Sequence, residues 1–378
     1  MKKNSKYFKD KFSGYPSIIL DHRPFFSIIS PLYNTLPENL NALLGSIINQ
    51  DMNDDIEVIL PDDHSTDMSY QEVIDRYSDT LSIRQIKTDY NCCPGNTREK
   101  GAQYAEGEWI TFIDHDDEFV PQTFKMIKDT ILNIGEKYHV ICNFNEVHPE
   151  TFEVLRELKH TRNWMHGKFY NLDNFWKARG IHFKKDLISH EDIYVSSLVR
   201  CELYELNKDR PLMLDLTCYL WKAHPYSVSR QKYNNMGFVE QFYDQYIEST
   251  GEVYLERFMN NSSLIEPNME WYRANCIDSF LYMYFYMQGF KYQHRMERTE
   301  WHRDNMDIAR DFFVRMKEAF AIDNDFIWSE TAKNNAYWYI AVRDSSYIGV
   351  GKFIESESFM DFMNTLHKDI YRRTISEI

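Results

Sequence analysis

The sequence lacks the patterns that mark several large protein classes. Its six cysteines are Cys92, Cys93, Cys142, Cys201, Cys218 and Cys276. None sits in a Cys-x-x-Cys pair, and the neighbours Cys92 and Cys93 are badly placed to bridge each other. Thiols in a reducing compartment are therefore expected rather than a disulfide framework. There is no Gly-x-Gly-x-x-Gly and no Gly-x-x-x-x-Gly-Lys, which argues against a Rossmann dinucleotide site and a P-loop. No apolar run approaches the ~20 residues that cross a bilayer. The nearest, Phe280 to Met287, is flanked by Asp278 and Gln288 and reads as a buried helix. Met1 to Asp10 is rich in lysine but has no apolar stretch, so no secretory leader is expected, and the chain is placed in the cytoplasm. Positive charge is scarce too, with 43 Lys and Arg against 58 Asp and Glu and a net charge of -15. Nucleic acid and anionic lipid need basic patches, so neither is an expected partner. No repeat or low-complexity tract is visible.

What is present is a globular composition, 43% hydrophobic and 16% aromatic over 378 residues, enough for about two domains. Residues 1–22 read as an extension or edge element. Phe25 to Ser30 is an apolar run bounded by Pro24 and Pro31, as a buried strand would be. Thr35 and Glu38 have capping-box spacing, and Pro37 suits a first helical turn. Leu40, Leu43, Leu44, Ile47 and Ile48 follow on one helical face. Glu57 to Leu60 is a second strand that runs into Pro61-Asp62-Asp63-His64-Ser65-Thr66-Asp67. A helix around 70–77, a strand around 82–87 and a helix near 97–105 come next. Then Trp109 to Ile113 forms a strand that ends in Asp114-His115-Asp116-Asp117.

Alternating strands and helices predict a mostly parallel sheet covered by helices. Such sheets bind ligands beyond the carboxyl ends of their strands, near the point where strand order reverses. The polar clusters at Tyr33-Asn34, Asp62-Asp63 and Asp114-Asp116 each follow a strand and should meet on one rim. In an extended chain Asp114 and Asp116 share a face. Two carboxylates at a strand end make an oxygen cradle for Mg²⁺ or Mn²⁺. Alone, the same pair also reads as a solvated acidic turn.

Taken together, these segments resemble family 2 glycosyltransferases. Ser27 to Asn34 resembles the family's opening strand. Asp62 to Asp67 resembles Asp-Asp-Gly-Ser-Thr-Asp, with His64 in place of Gly. Thr97 to Gly101 resembles Ala-Arg-Asn-x-Gly, with Glu99 in place of Asn. Ala105 to Ile110 and Asp114 to Asp117 match closely, and Ser189-His190-Glu191-Asp192-Ile193 resembles the Glu-Asp segment. The resemblance implies an α/β GT-A fold over residues 23–230 and a metal-dependent, inverting transfer of sugar from a nucleotide donor, UDP-linked by expectation. By that likeness Pro31 and Tyr33 flank the base, Asp63 accepts from the uracil N–H, and Arg98 lies near the nucleotide. Asp114 approaches the ribose, Asp116 holds Mn²⁺ or Mg²⁺, and His224 in Ala223-His224-Pro225-Tyr226 completes the metal shell. Asp192 is then the general base, because an attacking hydroxyl must lose a proton. Glu191 and Asp192 also suit the start of a helix for electrostatic reasons alone. His182 and His190 read as packing groups, and Lys222 as solvated or facing a phosphate.

Residues 231–378 carry aromatic stripes at helical spacing, such as Phe238, Phe242 and Tyr246. They predict a helical domain whose stripes are core, and which could make a homo-oligomer. The acceptor is expected to be a saccharide or glycoconjugate of a surface polysaccharide. The rival readings are a silent nucleotide-sugar-binding scaffold of the same fold, a transferase acting on a nucleobase, a two-carboxylate glycoside hydrolase and a nucleotidyltransferase.

Overall fold

A computed structural model describes residues 13–225 apart from 163, 186, 188–190 and 207–210, together with residue 253. The chain divides into two units, Met1–Lys232 and Tyr233–Ile378. The expected C-terminal helices, Cys276, the 280–287 stretch and His190 lie outside the described residues.

The first unit is built on one sheet. Its strands are β1 (Ser13–Pro16), β2 (Phe26–Ile29), β3 (Ile56–Asp62), β4 (Ser82–Lys87), β5 (Trp109–Phe112), β6 (Glu118–Phe119), β7 (His139–Val147), β8 (Val154–Leu158), β9 (Lys168–Asn171) and β10 (Leu212–Lys222). Their order is β1-β4-β3-β2-β5-β9-β7-β10-β6, with β8 paired to β7. Strands β4, β3, β2 and β5 are parallel. Strand β9 runs antiparallel between β5 and β7, and β10 runs parallel to β7. The edge strands β1, β6 and β8 are all antiparallel to their partners. The expectation of a mostly parallel sheet holds at the centre.

The central strands are buried on both faces, so they read as unbroken apolar runs rather than alternating ones. Helices α1 (Pro37–Ile48), α2 (Gln71–Tyr77), α3 (Pro94–Gln103), α4 (Thr123–Ile134) and α5 (Glu191–Glu205) join the strands. Helix α1 begins with Pro37, as expected, but the capping box does not form. Leu36 occupies the cap without a side-chain bond, and Thr35 Oγ1 instead accepts the Tyr33 N–H at 3.3 Å. Thr35 is used to hold the loop above β2, which competes with capping.

Chain order reverses between β2 and β5: β3 and β4 lie to one side of β2, and β5 to the other. A close approach fixes that seam. A Cβ on Gly107 would lie 2.5 Å from Ser27 Oγ and 2.7 Å from its backbone nitrogen. The bare Gly107 N–H instead donates to Ser27 Oγ (2.8 Å) and Glu57 Oε1 (3.0 Å). Among the described residues no helix is long and apolar enough to cross a membrane. No disulfide joins the described cysteines.

Candidate active site

Four loops leave the carboxyl ends of β2, β3, β4 and β5, and hydrogen bonds stitch them into one rim. Asn34 carries most of the first seam. Its N–H donates to Ser65 Oγ (2.9 Å), and its Oδ1 accepts from the backbone of Thr66 (2.9 Å) and Asp67 (3.0 Å). Asp62 is buried and accepts from Ser65 Oγ (2.5 Å) and the Tyr70 hydroxyl (3.0 Å), so it holds the loop. Asp63 Oδ1 accepts from the Cys92 N–H (2.7 Å) and thiol (3.0 Å), which brings the β4–α3 loop against it. Burial, and then the hydrogen bond to Asp63, push the Cys92 thiol up to about 11, so it serves as a neutral donor. His64 stands where the resembled motif has Gly. It adopts φ 61°, a left-handed conformation that a histidine tolerates at some cost. Tyr33 is half exposed at the mouth of the rim, and Pro31 lies beside it.

The carboxylate cluster differs from the extended geometry expected of it. Strand β5 ends at Phe112, and the Asp117 N–H returns to the Asp114 carbonyl at 3.1 Å. Asp114 to Asp117 is thus a tight turn, so the alternation argument does not apply. His115 Nδ1 lies 3.2 Å from the Pro31 carbonyl oxygen and ties this turn to the β2 loop. Asp117 faces inward. The Tyr219 hydroxyl donates to its Oδ2 (2.6 Å) and the Lys222 N–H to its Oδ1 (2.8 Å). Burial first, then the charges of Asp116 and Asp114, raise its carboxyl well above the ordinary range. Asp117 and Tyr219 escaped the sequence reading. An acidic residue after an Asp-x-Asp looks the same whether it faces solvent or the core.

Arg98 connects the two ends of the site. Its Nη2 donates to Asp114 Oδ1 at 2.5 Å and its Nη1 to Glu191 Oε1 at 2.6 Å. The guanidinium is only 10% exposed. Burial works against its charge, but the two carboxylates outweigh that and raise it further. In Asp114 burial pushes upward and Arg98 more than reverses it, so the carboxyl sits below its usual range. Helices α3 and α5 approach closely at Gly95, where a Cβ would lie 3.0 Å from Glu191 Cβ. Glu99, in place of the resembled Asn, accepts the Phe183 N–H at 3.0 Å. It anchors the segment before α5 to α3.

Asp192 follows Glu191 in the first turn of α5. Desolvation first, and then the Glu191 charge, raise its carboxyl to about 7, against the Ile193 N–H and the cations Lys168 and Arg98. A carboxyl poised there can exchange a proton near neutrality.

Asp116 and His224 meet from separate elements, with Oδ2 and Nε2 3.9 Å apart. His224 Nε2 is buried and has no hydrogen-bond partner among the described residues, so an oxygen and a nitrogen of the kind that could hold a divalent ion lie side by side. Ligand-capable atoms of Asp114, Asp117 and His166 also lie within 4.8 Å of one another. Both Asp117 oxygens there accept from protein donors, and His166 Nδ1 is buried without a hydrogen-bond partner among the described residues. Lys222 is buried and pairs with Glu118 Oε1 at 2.7 Å, which takes it away from both the solvent and the phosphate readings. His182 is exposed and bonds the Gly180 carbonyl (2.8 Å) and the Tyr194 hydroxyl (3.1 Å), so it is a hydrogen-bonded surface group rather than a packed one.

Residues 27–193 match the profile of glycosyl transferase family 2. Among curated proteins, one segment is 34% identical over 102 residues to the poly(ribitol-phosphate) beta-N-acetylglucosaminyltransferase TarS of Staphylococcus aureus, covering 26% of this chain and 18% of that protein. The chain is also 34% identical over 98 residues to the GalNAc(5)-diNAcBac-PP-undecaprenol beta-1,3-glucosyltransferase of Campylobacter jejuni, covering 26% of this chain and 31% of that one. The matches thus span less than a third of either relative. Among solved structures, S. aureus TarS 1-349 in complex with UDP-GlcNAc superposes with a TM-score of 0.58 at 21% identity, covering 85% of this chain and 93% of that one. The likeness places the sheet and its helices in the GT-A fold.

Proposed function

We propose that this chain, whose residues 27–193 match the glycosyl transferase family 2 profile, is an inverting transferase that moves a sugar from a nucleoside diphosphate donor, UDP-linked, to an acceptor hydroxyl. The observation that carries this reading is the Arg98 bridge. It joins the Asp114 turn to Glu191, the neighbour of Asp192. The donor rim and a carboxyl of near-neutral pKa are therefore two sides of one site.

On this reading Tyr33 and Pro31 flank the base. Asp63, with Oδ1 already bonded to Cys92, offers Oδ2 to a base N–H. Asp114 reaches the ribose and is oriented by Arg98. Asp116 and His224 would hold Mn²⁺ or Mg²⁺, which supplies charge neutralisation for a diphosphate leaving group when bound. Asp192 accepts the proton of the acceptor hydroxyl as that hydroxyl's oxygen bonds the anomeric carbon. The carbon–oxygen bond to the diphosphate breaks on the opposite face, and the nucleoside diphosphate leaves with that electron pair.

The matched relatives act on poly(ribitol-phosphate) and on an undecaprenol-linked saccharide. Both support an envelope polysaccharide or glycoconjugate as the acceptor class here. The test is a panel of sugar nucleotides incubated with the protein and Mn²⁺, scored for released nucleoside diphosphate. Release from one UDP-sugar, strengthened by added saccharide acceptor, is the expected result. Silence across the panel despite a thermal shift from UDP would leave the nucleotide-sugar-binding scaffold reading in its place.

A further inference from the structure

Beneath Asp192 lies a buried cation that the reading above does not use. Lys168 opens β9 and is 1% exposed. Its Nζ donates to the Arg162 carbonyl (2.5 Å) and to Ser196 Oγ (3.2 Å). Ser196 is four residues beyond Asp192 on α5, so the two share one face of the helix, a turn apart. A lysine amine is rarely placed in a protein core without a task, because burial of its charge is costly. Two oxygens satisfy two of its three protons, and a carboxyl one turn up the helix is its electrostatic complement.

We infer that Lys168 is a positioning residue for Asp192, a buried ammonium that fixes the first turn of α5 through Ser196 and sets the charge state of the carboxyl above it. The inference rests on Asp192 being the base. Several other groups face the pair. Glu191 raises Asp192 and Arg98 lowers it. Arg162 and Arg200 act against the Lys168 charge. His139 and His166 each feel the Lys168 cation, and Tyr170 feels Asp192. Burial brings Lys168 down to about 7 while Asp192 pulls it back up, so amine and carboxyl exchange influence over one pH range. Below it the ammonium is charged and favours carboxylate; above it the help fades.

The experiment titrates Asp192 directly. Carboxyl carbon NMR is recorded on the full chain, with the Asp192 signal assigned by its loss in Asp192→Asn, alongside the pH profile of sugar transfer. In Lys168→Met the Asp192 titration and the acidic limb of transfer are expected to move up by about one pH unit. Lys168→Arg, which keeps a cation, returns both toward wild type. Lys168→Gln, which keeps a donor for both oxygens, decides the matter where the Met variant does not fold. A folded Lys168→Gln or Lys168→Met whose Asp192 titrates as in wild type would overturn the inference. A wild-type chain that transfers nothing would overturn the enzymatic reading instead, while the NMR titration would still decide whether lysine and carboxyl are coupled.

Discussion

Asp192→Asn separates base catalysis from everything else the site does. The wild-type carboxyl sits at about 7 because burial and Glu191 outweigh the nearby cations. Only the ionised form can accept a proton. About a tenth of the carboxyls are ionised at pH 6 and about nine tenths at pH 8, so kcat/KM should rise about tenfold between them and then level. Asparagine keeps the size of the side chain but cannot accept the proton. Transfer should fall by roughly 10²- to 10⁴-fold, the usual value of a positioned base, and the acidic limb should disappear. UDP affinity should change little, because Asp192 belongs to the acceptor side. The assay is nucleoside diphosphate release across pH 5.5–9, with UDP binding followed by calorimetry. The same variant should melt higher than wild type at pH 8 and converge with it at low pH. The sign follows from linkage. A carboxyl raised in the folded state disfavours folding once it must ionise, so its cost grows as pH climbs from 3.8 toward 7. An Asn variant that keeps the wild-type rate, or keeps the acidic limb, would refute the base assignment.

Other substitutions probe the groups that support this site. Tyr219→Phe removes the hydroxyl that donates to buried Asp117 at 2.6 Å and should cost about 1–3 kcal/mol in chemical denaturation. No loss there would mean Asp117 needs no such support. Gly107→Ala drives a methyl into Ser27 Oγ and backbone at 2.5 and 2.7 Å; an expected loss of about 1–3 kcal/mol or more should appear as a lower melting temperature. His224→Ala should raise the Mn²⁺ concentration for half-maximal activity by roughly ten- to a hundredfold, while an unchanged Mn²⁺ response would remove His224 from the metal shell. Arg98→Lys loses the two-armed fork and should lower kcat without loss of fold, read by transfer rate and circular dichroism together.

Much of this protein was legible in its residues alone. The runs read at Phe25–Ser30, Glu57–Leu60 and Trp109–Ile113 anticipate the central strands Phe26–Ile29, Ile56–Asp62 and Trp109–Phe112, because strands buried on both faces are rich in apolar residues throughout. The rule that ligands gather at the reversal of strand order located the rim. Motif order then supplied Asp63, Asp116 and Asp192 as candidates. The chemical state of each group was decided elsewhere. Asp114 and Asp117 stand three residues apart, yet one is held ionised by Arg98 and the other is pushed toward neutrality by burial. Nothing in Asp-His-Asp-Asp distinguishes them; the difference comes from Arg98, which pairs with Asp114, and from the burial of Asp117 beside two other carboxylates, which its donors Tyr219 and the Lys222 N–H only partly offset. Local pattern determines which segments become strands and helices, since periodicity is a property of neighbours. Protonation, ligand pairing and the Lys168 contact depend on what lies across space, and only the folded chain brings those groups within reach.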